Sequence, residues 1–405
     1  MSERKHVVPG ERVGPPRPSD LEVHDASGLD VPLQARWLKR LSICERARYR
    51  KALALLAAGG SVRSLIQDGN LPLGLGVYEA LLARSWAVRF DDKAAMIRLA
   101  KKAVEVAQGL DPKVHGAKQV ADLQARARGE LANAYRAADQ LRSADHAFGQ
   151  AFALFEQGTS DPCLKVRLFD LEASLLGTWR EFTMAEDRLK LAAELYRELG
   201  EPHLAGRVLI SRALYTFYNS RPEEGLRLNK QGIELIDRRR DPALFLAAMH
   251  NELLFLVDLG RYDEAKRRLF KSRRHFIYKD RVNALRLRGL EGRIEYGLGK
   301  LLSAEIAFRE VKEGFDKSGM SFHAAVISLE LAMVLLSQDR FDEAEREVLA
   351  VRGVFAEGEL YREFLGSVFF LREVFRRRTV TPATIEEAVA HLWRKQLQIG
   401  SRHFR

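Results

Sequence analysis

The sequence has 405 residues, a net charge of +11 at pH 7 and a 46% share of hydrophobic residues, enough for a continuous core. Its two cysteines, Cys44 and Cys163, exclude a disulfide framework, and we expect both thiols to be buried and reduced. It contains neither an amino-terminal secretory signal nor a membrane-spanning run of about 18 apolar residues. We therefore expect a cytoplasmic protein without a membrane partner, and its basic charge favours acidic partners.

Helix-forming residues favour an all-α fold. Leu, Ala, Glu and Arg dominate, and alternating runs of Val, Ile and Thr are scarce. Residues 1–32 are proline-rich with little apolar periodicity, which predicts a disordered lead-in. Residues 33–76 are predicted to form a basic N-terminal helical region. From Leu33 to Ala58 the apolar spacing is helical, with seven Lys and Arg against one Glu, and Gly59 and Gly60 end the helix.

A repeated segment fills residues 77–356. In six places a small residue stands three positions after an aromatic or apolar residue, and the small residues are spaced by 41, 40, 40, 39 and 40 positions. This period indicates stacked helix pairs. The small residues are Ala144, Ala185, Gly225, Ala265, Ala304 and Ala344. A looser match over 77–107 adds a seventh pair.

The clearest unit covers residues 125–151. Its apolar and small positions are Leu131, Ala132, Tyr135, Leu141, Ala144, Phe148 and Ala151. This pattern resembles the tetratricopeptide repeat, although the period is near 40 rather than about 34 residues. The resemblance implies an all-α, right-handed α-solenoid of about seven antiparallel helix pairs. Residues 357–405 are predicted to form C-terminal capping helices and a tail, because Thr381 and Pro382 are typical of a helix start.

The resemblance also implies a function. Family members hold peptides or protein segments on a groove lined by first helices, so we expect a binding scaffold, adaptor or regulatory sensor with a protein or peptide partner. Candidate contacts are polar or aromatic residues opposite the apolar stripe of each first helix. They are Glu130, Asn133, Arg136, Asp170, Ser174, Tyr215, Tyr218, Asn219, Asn251, Asp258, Arg288, Glu291 and Glu295. The alternative is that these side chains are solvated or form hydrogen bonds between repeats.

A basic segment lies at residues 261–293. It holds twelve Lys and Arg against four Asp and Glu, with Phe270, Phe276 and Tyr278 interleaved, a pattern that suits phosphate contacts with base stacking. The candidate phosphate-binding residues are Arg267, Arg268, Lys271, Arg273, Arg274, Lys279 and Arg281. A nucleic-acid-associated regulator is therefore the alternative function. A simpler interpretation assigns the apolar residues to the core and the charges to the solvent.

Catalytic and metal-binding motifs are missing from the sequence. It lacks HExxH, P-loop, GxSxG and CxxC patterns, and its ten histidines are dispersed. The chain is therefore predicted not to be an enzyme and to use neither a metal nor a cofactor. A third hypothesis is an assembly subunit that forms a homo-oligomer through an open end of the repeat array.

Overall fold

The computed structural model describes residues 31–59, 74–89, 91–275 and 281–356, together with 381–383 and 385. The regular elements in these ranges are seventeen α-helices and one 3₁₀ turn, Arg273–His275. The α-helices are α1 (Val31–Lys39), α2 (Ile43–Ala57), α3 (Leu75–Ala87), α4 (Lys93–Gln108), α5 (Pro112–His115), α6 (Ala117–Ala137), α7 (Leu141–Phe155), α8 (Pro162–Thr178), α9 (Phe182–Glu198), α10 (Pro202–Tyr218), α11 (Pro222–Leu235), α12 (Pro242–Asp258), α13 (Tyr262–Ser272), α14 (Arg281–Gly297), α15 (Leu301–Lys317), α16 (Ser321–Leu336) and α17 (Phe341–Ala356). The predicted capping helices of 357–405 fall outside the described residues, apart from 381–383 and 385.

Seven helix pairs follow one another along the described chain: α3/α4, α6/α7, α8/α9, α10/α11, α12/α13, α14/α15 and α16/α17. The helices of a pair are joined by a short turn, so they run antiparallel. Second helices also pack on the first helix of the next pair, as α9 does on α10 and α15 on α16. The predicted all-α fold of about seven antiparallel pairs is confirmed. The chain divides into two compact units, His24–Glu252 and one that contains Leu253–Arg405, and the division falls within α12.

The predicted repeat positions coincide with the helix boundaries. The second helices α7, α9, α11, α13, α15 and α17 each begin three positions before a predicted small residue, and all six small residues are buried. Small side chains let paired helices approach closely. A Cβ on Gly225, for example, would lie 2.9 Å from the carbonyl oxygen of Ala213 in α10.

The six pairs from α6/α7 onward share one turn geometry. The residue two positions before each second helix has a positive φ of 58° to 72°. The next amide donates to the carbonyl oxygen five positions earlier, at 2.8 to 3.1 Å, which is the Schellman arrangement for ending a helix. The left-handed residues are Asp139, Arg180, Ser220, Gly260, Gly299 and Asp339.

The basic N-terminal stretch forms two helices where its spacing predicts one. The Ser42 hydroxyl accepts a hydrogen bond from the Glu45 amide at 3.2 Å and caps α2, so the chain is interrupted at 40–42. Helix α2 packs on α3, where the Glu45 carboxylate accepts from the Gly76 amide at 2.5 Å. A Cβ on Gly76 would meet the Glu45 backbone at 2.2 Å, so this close approach requires glycine.

Apolar packing holds each unit together. In the unit His24–Glu252, one core cluster joins side chains of α2, α3, α4 and α6. In the unit that contains Leu253–Arg405, another joins α15, α16 and α17 around Phe308, Val311 and Phe315. Residues 323–336 of α16 are all buried, because this first helix packs against second helices of two pairs.

Candidate functional site

The first helices turn one side toward second helices and the opposite side away from them. On α8, the ring centroid of Phe169 lies 6.2 Å from that of Phe152 in α7, and Glu172 pairs with Arg188 of α9 at 2.6 Å. Another stripe of α8 lies about half a turn round the helix from this one. Together with equivalent positions on α6 and α10 it forms what we call the first-helix face. Its residues are Arg126, Glu130 and Asn133 of α6, Arg167, Asp170 and Ser174 of α8, and Arg207 and Leu214 of α10.

Buried ion pairs link consecutive first helices along this face. In each pair an arginine reaches back to a carboxylate on the preceding first helix. Arg126 donates to Glu79 of α3 at 2.5 and 3.0 Å, Arg167 donates to Glu130 at 2.8 and 3.1 Å, and Arg207 pairs with Asp170. We call these three pairs the arginine ladder. Two-point contacts of this kind fix orientation as well as distance, so the ladder sets the register of neighbouring first helices.

The ladder arginines remain charged. Burial is the largest single effect and lowers the pKa of Arg126, but the charges of Glu79, Tyr78 and Glu130 and the hydrogen bonds to Glu79 together raise it more, and the balance lies above the usual value. Removing one member of a buried pair leaves the other without compensation. The ladder is therefore a fixed electrostatic feature of the face.

Four predicted contacts of α6 and α8 lie on or beside the ladder. Glu130 and Asp170 are two of its three carboxylates, so the alternative that these side chains form contacts between repeats applies to both. Asn133 is buried and accepts from the Arg136 side chain at 3.1 Å. Ser174 is half-buried, and its hydroxyl donates to the carbonyl oxygen of Asp170 at 3.3 Å. A ligand contact for any of them stays a prediction.

The predicted tyrosines of α10 pack against their neighbours. Tyr215 is buried and lies over Gly177, where a Cβ would be 2.3 Å from the phenol. Its ring stacks on Phe182 of α9 at 5.9 Å between centroids, and Tyr218 lies 5.5 Å from the same ring. Tyr218 is half-buried, so more of its surface than of Tyr215 is open to a ligand.

Two further predicted contacts are asparagines, one at the end of α10 and one within α12. Asn219 donates to the Glu186 carboxylate of α9 at 3.2 Å, and Thr216 donates to the other oxygen of that carboxylate at 2.8 Å. Asn251 of α12 is buried. The interpretation as hydrogen bonds within the array applies to Asn219, and ligand contacts for both stay predictions.

The last predicted contacts belong to the unit that contains Leu253–Arg405. Asp258 is exposed at the end of α12. Arg288 donates to Glu291 at 2.9 Å and to Glu310 of α15 at 2.6 Å, while Glu295 accepts from Lys266 of α13 at 2.8 Å. In the same unit Arg293 of α14 donates to Glu330 of α16. These two first helices are therefore also joined by a contact between an arginine and a carboxylate.

The arginines of the ladder are not among the site residues predicted from the sequence. Arg126, Arg167 and Arg207 are spaced by 41 and 40 residues, the same intervals that separate the first three small residues. That coincidence of spacing is a pattern which could have identified them as structural members of the repeat.

Helix α1 lies against the same part of the chain. Its Trp37 ring covers the Arg126 guanidinium, 3.4 Å from the ring centroid. Arg36 donates to the Leu199 carbonyl oxygen at 2.8 Å and pairs with Glu201 at 3.0 Å. Arg40 also pairs with Asp161, the N-cap of α8, at 2.7 Å. Helix α1 therefore contacts α6 and the chain at the starts of α8 and α10.

The predicted phosphate-binding residues are only partly described. Arg267, Lys271, Arg273 and Arg281 are exposed, and Arg268 is half-buried. The side chain of Arg274 and the whole of Lys279, Phe276 and Tyr278 fall outside the described residues. Phe270 is 81% exposed, so the prediction of a core role does not hold for this ring. Phosphate binding by these residues stays a prediction.

The described residues offer little for metal or thiol chemistry. Within them, His, Cys, Asp and Glu side chains form no group of three that could hold a metal ion. Cys163 is buried, and burial is the first cause that raises the pKa of its thiol above the usual value. Cys44 is exposed, so its predicted burial is wrong: its helix α2 turns this position to solvent. Among the described helices, none is both long and apolar enough to cross a membrane.

Several solved structures share the fold of this chain. No protein-family model and no curated protein matches the sequence. A Rap protein complexed with Competence and Sporulation Factor is similar in structure, with a TM-score of 0.53 and 12% identity over 80% of this chain and 88% of that one. The apo quorum sensor NprR from B. thuringiensis matches with a TM-score of 0.52 and 14% identity over 76% and 96%.

Aspartyl phosphate phosphatase F from Bacillus subtilis is also similar, with a TM-score of 0.51 and 15% identity over 69% of this chain and 70% of that one. Likeness at such low identity shows the fold alone. It assigns neither a ligand nor a reaction to this chain. The resemblance predicted from the repeats is nevertheless confirmed: the chain has a tetratricopeptide-like fold.

Proposed function

We propose that the chain is a non-catalytic adaptor or regulatory sensor of the cytoplasm whose first-helix face binds a peptide or protein segment. The arginine ladder carries this proposal. Buried two-point ion pairs hold α3, α6, α8 and α10 in register, and a face that is fixed before binding loses little entropy when a ligand arrives.

The structural neighbours support a binding role. One is a Rap protein in complex with Competence and Sporulation Factor, and another is the quorum sensor NprR. This chain shares their fold. The surface that stacked helix pairs offer to ligands is the one lined by first helices. A peptide or a protein segment is therefore the ligand class that we expect.

Selection of ligands from a random peptide library by the full-length chain tests the proposal. Bound peptides would be labelled and titrated by fluorescence anisotropy against two variants. Ser174→Arg places a long side chain on the first-helix face, where Ser174 bonds its own helix. Ser143→Arg makes the same change at an exposed position of the second helix α7 and is the matched control.

The proposal predicts that Ser174→Arg weakens binding at least tenfold and that Ser143→Arg leaves it unchanged. Failure of selection, or equal binding by the two variants, would contradict it. The non-catalytic part is tested separately, because one neighbour is an aspartyl phosphate phosphatase. Release of phosphate from the acyl phosphate acetyl phosphate, faster than without protein, would overturn that part.

A second candidate function rests on Phe270. This ring is 81% exposed on α13, and Arg267, Lys271 and Arg273 are exposed around it without an ion pair among the described residues. An open aromatic ring among cations suits a single-stranded nucleic acid, in which bases stack while phosphates contact the charges.

A further inference from the structure

Helix α1 contacts the helix pairs in the way that a separate bound peptide would. It is nine residues long, too short to be a stable helix by itself in water. It contacts α6, α8 and the chain just before α10 through Arg36, Trp37 and Arg40. We call the residues beneath it the α1 seat: Arg126, Asp161, Cys163, Leu199 and Glu201.

The charges of the helix and the seat are complementary. Residues 31–42 carry Arg36, Lys39 and Arg40 and no acidic residue. The two arginines meet the carboxylates of Glu201 and Asp161. Between them Trp37, 9% exposed, covers the guanidinium of Arg126, a stacking contact that aromatic rings make with arginine. The seat therefore recognises a basic helix with one aromatic residue between its two cations.

The arginines of the ion pairs that hold α1 remain open to water, whereas their partners Glu201 and Asp161 are 17% and 11% exposed. The side chain of Arg36 is 38% exposed and that of Arg40 is 60% exposed. Solvent-exposed ion pairs contribute little to stability, in contrast to the buried pairs of the ladder on the same surface. Trp37 and Leu41 are buried, at 9% and 5% exposed, so apolar contact at these two positions accompanies the two ion pairs.

We propose that α1 is an intramolecular ligand of the α1 seat, which meets the first-helix face at Arg126, and that a partner with a basic-aromatic helix of the same chemistry displaces it. The proposal rests on the proposed function and adds the partner class and its regulation. Access to the seat is then controlled by competition: α1 occupies it in the free chain and leaves it when a stronger helix binds.

The experiment uses a labelled peptide with the sequence of residues 31–42 and the full-length chain. In Arg36→Glu/Arg40→Glu the tethered helix loses both ion pairs while the seat is unchanged. Lys39→Glu/Lys51→Glu makes the same change of charge at two exposed lysines that make no ion pair among the described residues. Binding is followed by fluorescence anisotropy, and circular dichroism verifies that both variants fold.

The peptide is expected to bind Arg36→Glu/Arg40→Glu at least tenfold more tightly than the control variant or the natural chain. Glu201→Lys, added to the first variant, is expected to abolish this gain. Glu201 precedes α10 without making a side-chain cap, so this change does not uncap the helix. Equal binding by all the chains, or none by any folded chain, would overturn the inference.

Hydrogen exchange of the natural chain gives an independent readout. The amides of α1 are expected to exchange far faster than those of α8, because the helix opens without unfolding of the array. Exchange of α1 at the rate of global unfolding would make it a permanent part of the core and overturn the inference. If library peptides bind the natural chain while the 31–42 peptide binds no variant, the proposed function survives and this inference fails.

Discussion

Arg126 and Glu79 form a two-point ion pair in the interior of the protein, with Nη1–Oε1 at 2.5 Å and Nη2–Oε2 at 3.0 Å. Both side chains are buried, and they lie 47 positions apart in the sequence. The pair joins α3 to α6, two first helices that are separated in the chain by α4 and α5. It is the first of the three contacts that give the first-helix face its fixed geometry.

Glu79→Ala is expected to lower the free energy of unfolding by roughly 3 kcal/mol, because it leaves the Arg126 charge buried without its partner. Replacing both residues, as Glu79→Leu/Arg126→Met, is expected to recover most of that loss. Urea denaturation measures both effects. The exposed pair Lys317–Glu313 is the control, and Lys317→Ala is expected to leave the midpoint unchanged. A loss in the double variant as large as in the single one would contradict a buried-charge penalty.

The shared turn predicts opposite effects for two glycine substitutions. Gly299 and Gly149 both have open space around an added Cβ, but Gly299 has φ +72° whereas Gly149 lies inside α7 with ordinary φ. Gly299→Ala is expected to destabilise by roughly 1 kcal/mol, because left-handed backbone disfavours a Cβ. Gly149→Ala is expected to stabilise by roughly 0.5 to 1 kcal/mol. Thermal melts compare them, and stabilisation by both would contradict the role of the turn.

Protonation of His203 is expected to lower folding stability in mild acid. Burial, and next the charge of Arg240, lower the pKa of this imidazole, while Asp241 opposes them. The neutral ring accepts the Asp237 amide at 3.0 Å. As pH falls through about 6.5 the unfolded chain takes up the proton first, so folding stability declines from there down to the lower pKa of the folded state.

Urea titrations at several pH values between 7.5 and 5 would measure this decline. His203→Asn keeps an acceptor for the Asp237 amide but cannot titrate in this range, so its stability is expected to fall less steeply than that of the natural chain. Parallel curves for the two proteins would show that His203 does not contribute.

The basic surface of α13 predicts salt-dependent binding of single-stranded DNA. Lys271→Glu/Arg273→Glu is expected to weaken binding, and loss of two phosphate contacts should reduce the slope of log affinity against log salt by roughly 1.4. Phe270→Ala is expected to weaken binding at least fivefold through lost stacking. Lys190→Glu/Arg197→Glu, at exposed positions of α9, is the matched control. Equal effects of the two double variants would indicate attraction by net charge alone.

Much of the fold could be predicted because it depends on a local pattern that recurs. The six small residues, the first Ala144 and the last Ala344, lie where the two helices of each pair are in close contact. Their spacing in the sequence therefore equals the length of the repeat. The break between α1 and α2 was missed because apolar spacing continues across it, although Ser42 and Glu45 could have indicated a capped start.

The candidate site was less predictable because it depends on partners far apart in sequence. Glu130 and Asp170 were identified as polar residues of the first helices, but the ion pairs they form depend on arginines 37 positions away. Nothing in the spacing of Arg36 and Trp37 indicates where α1 docks. Such a contact depends on the surface of three other helices, which a periodic pattern does not describe.

Hydrogen exchange of the chain with and without a library-selected peptide tests the central claim most directly. The proposed function predicts added protection in α6, α8 and α10, which carry the first-helix face, and little change in the second helices α7, α9 and α11. Protection confined to those second helices or to α13, or no change in any helix at saturating peptide, would contradict binding on the first-helix face.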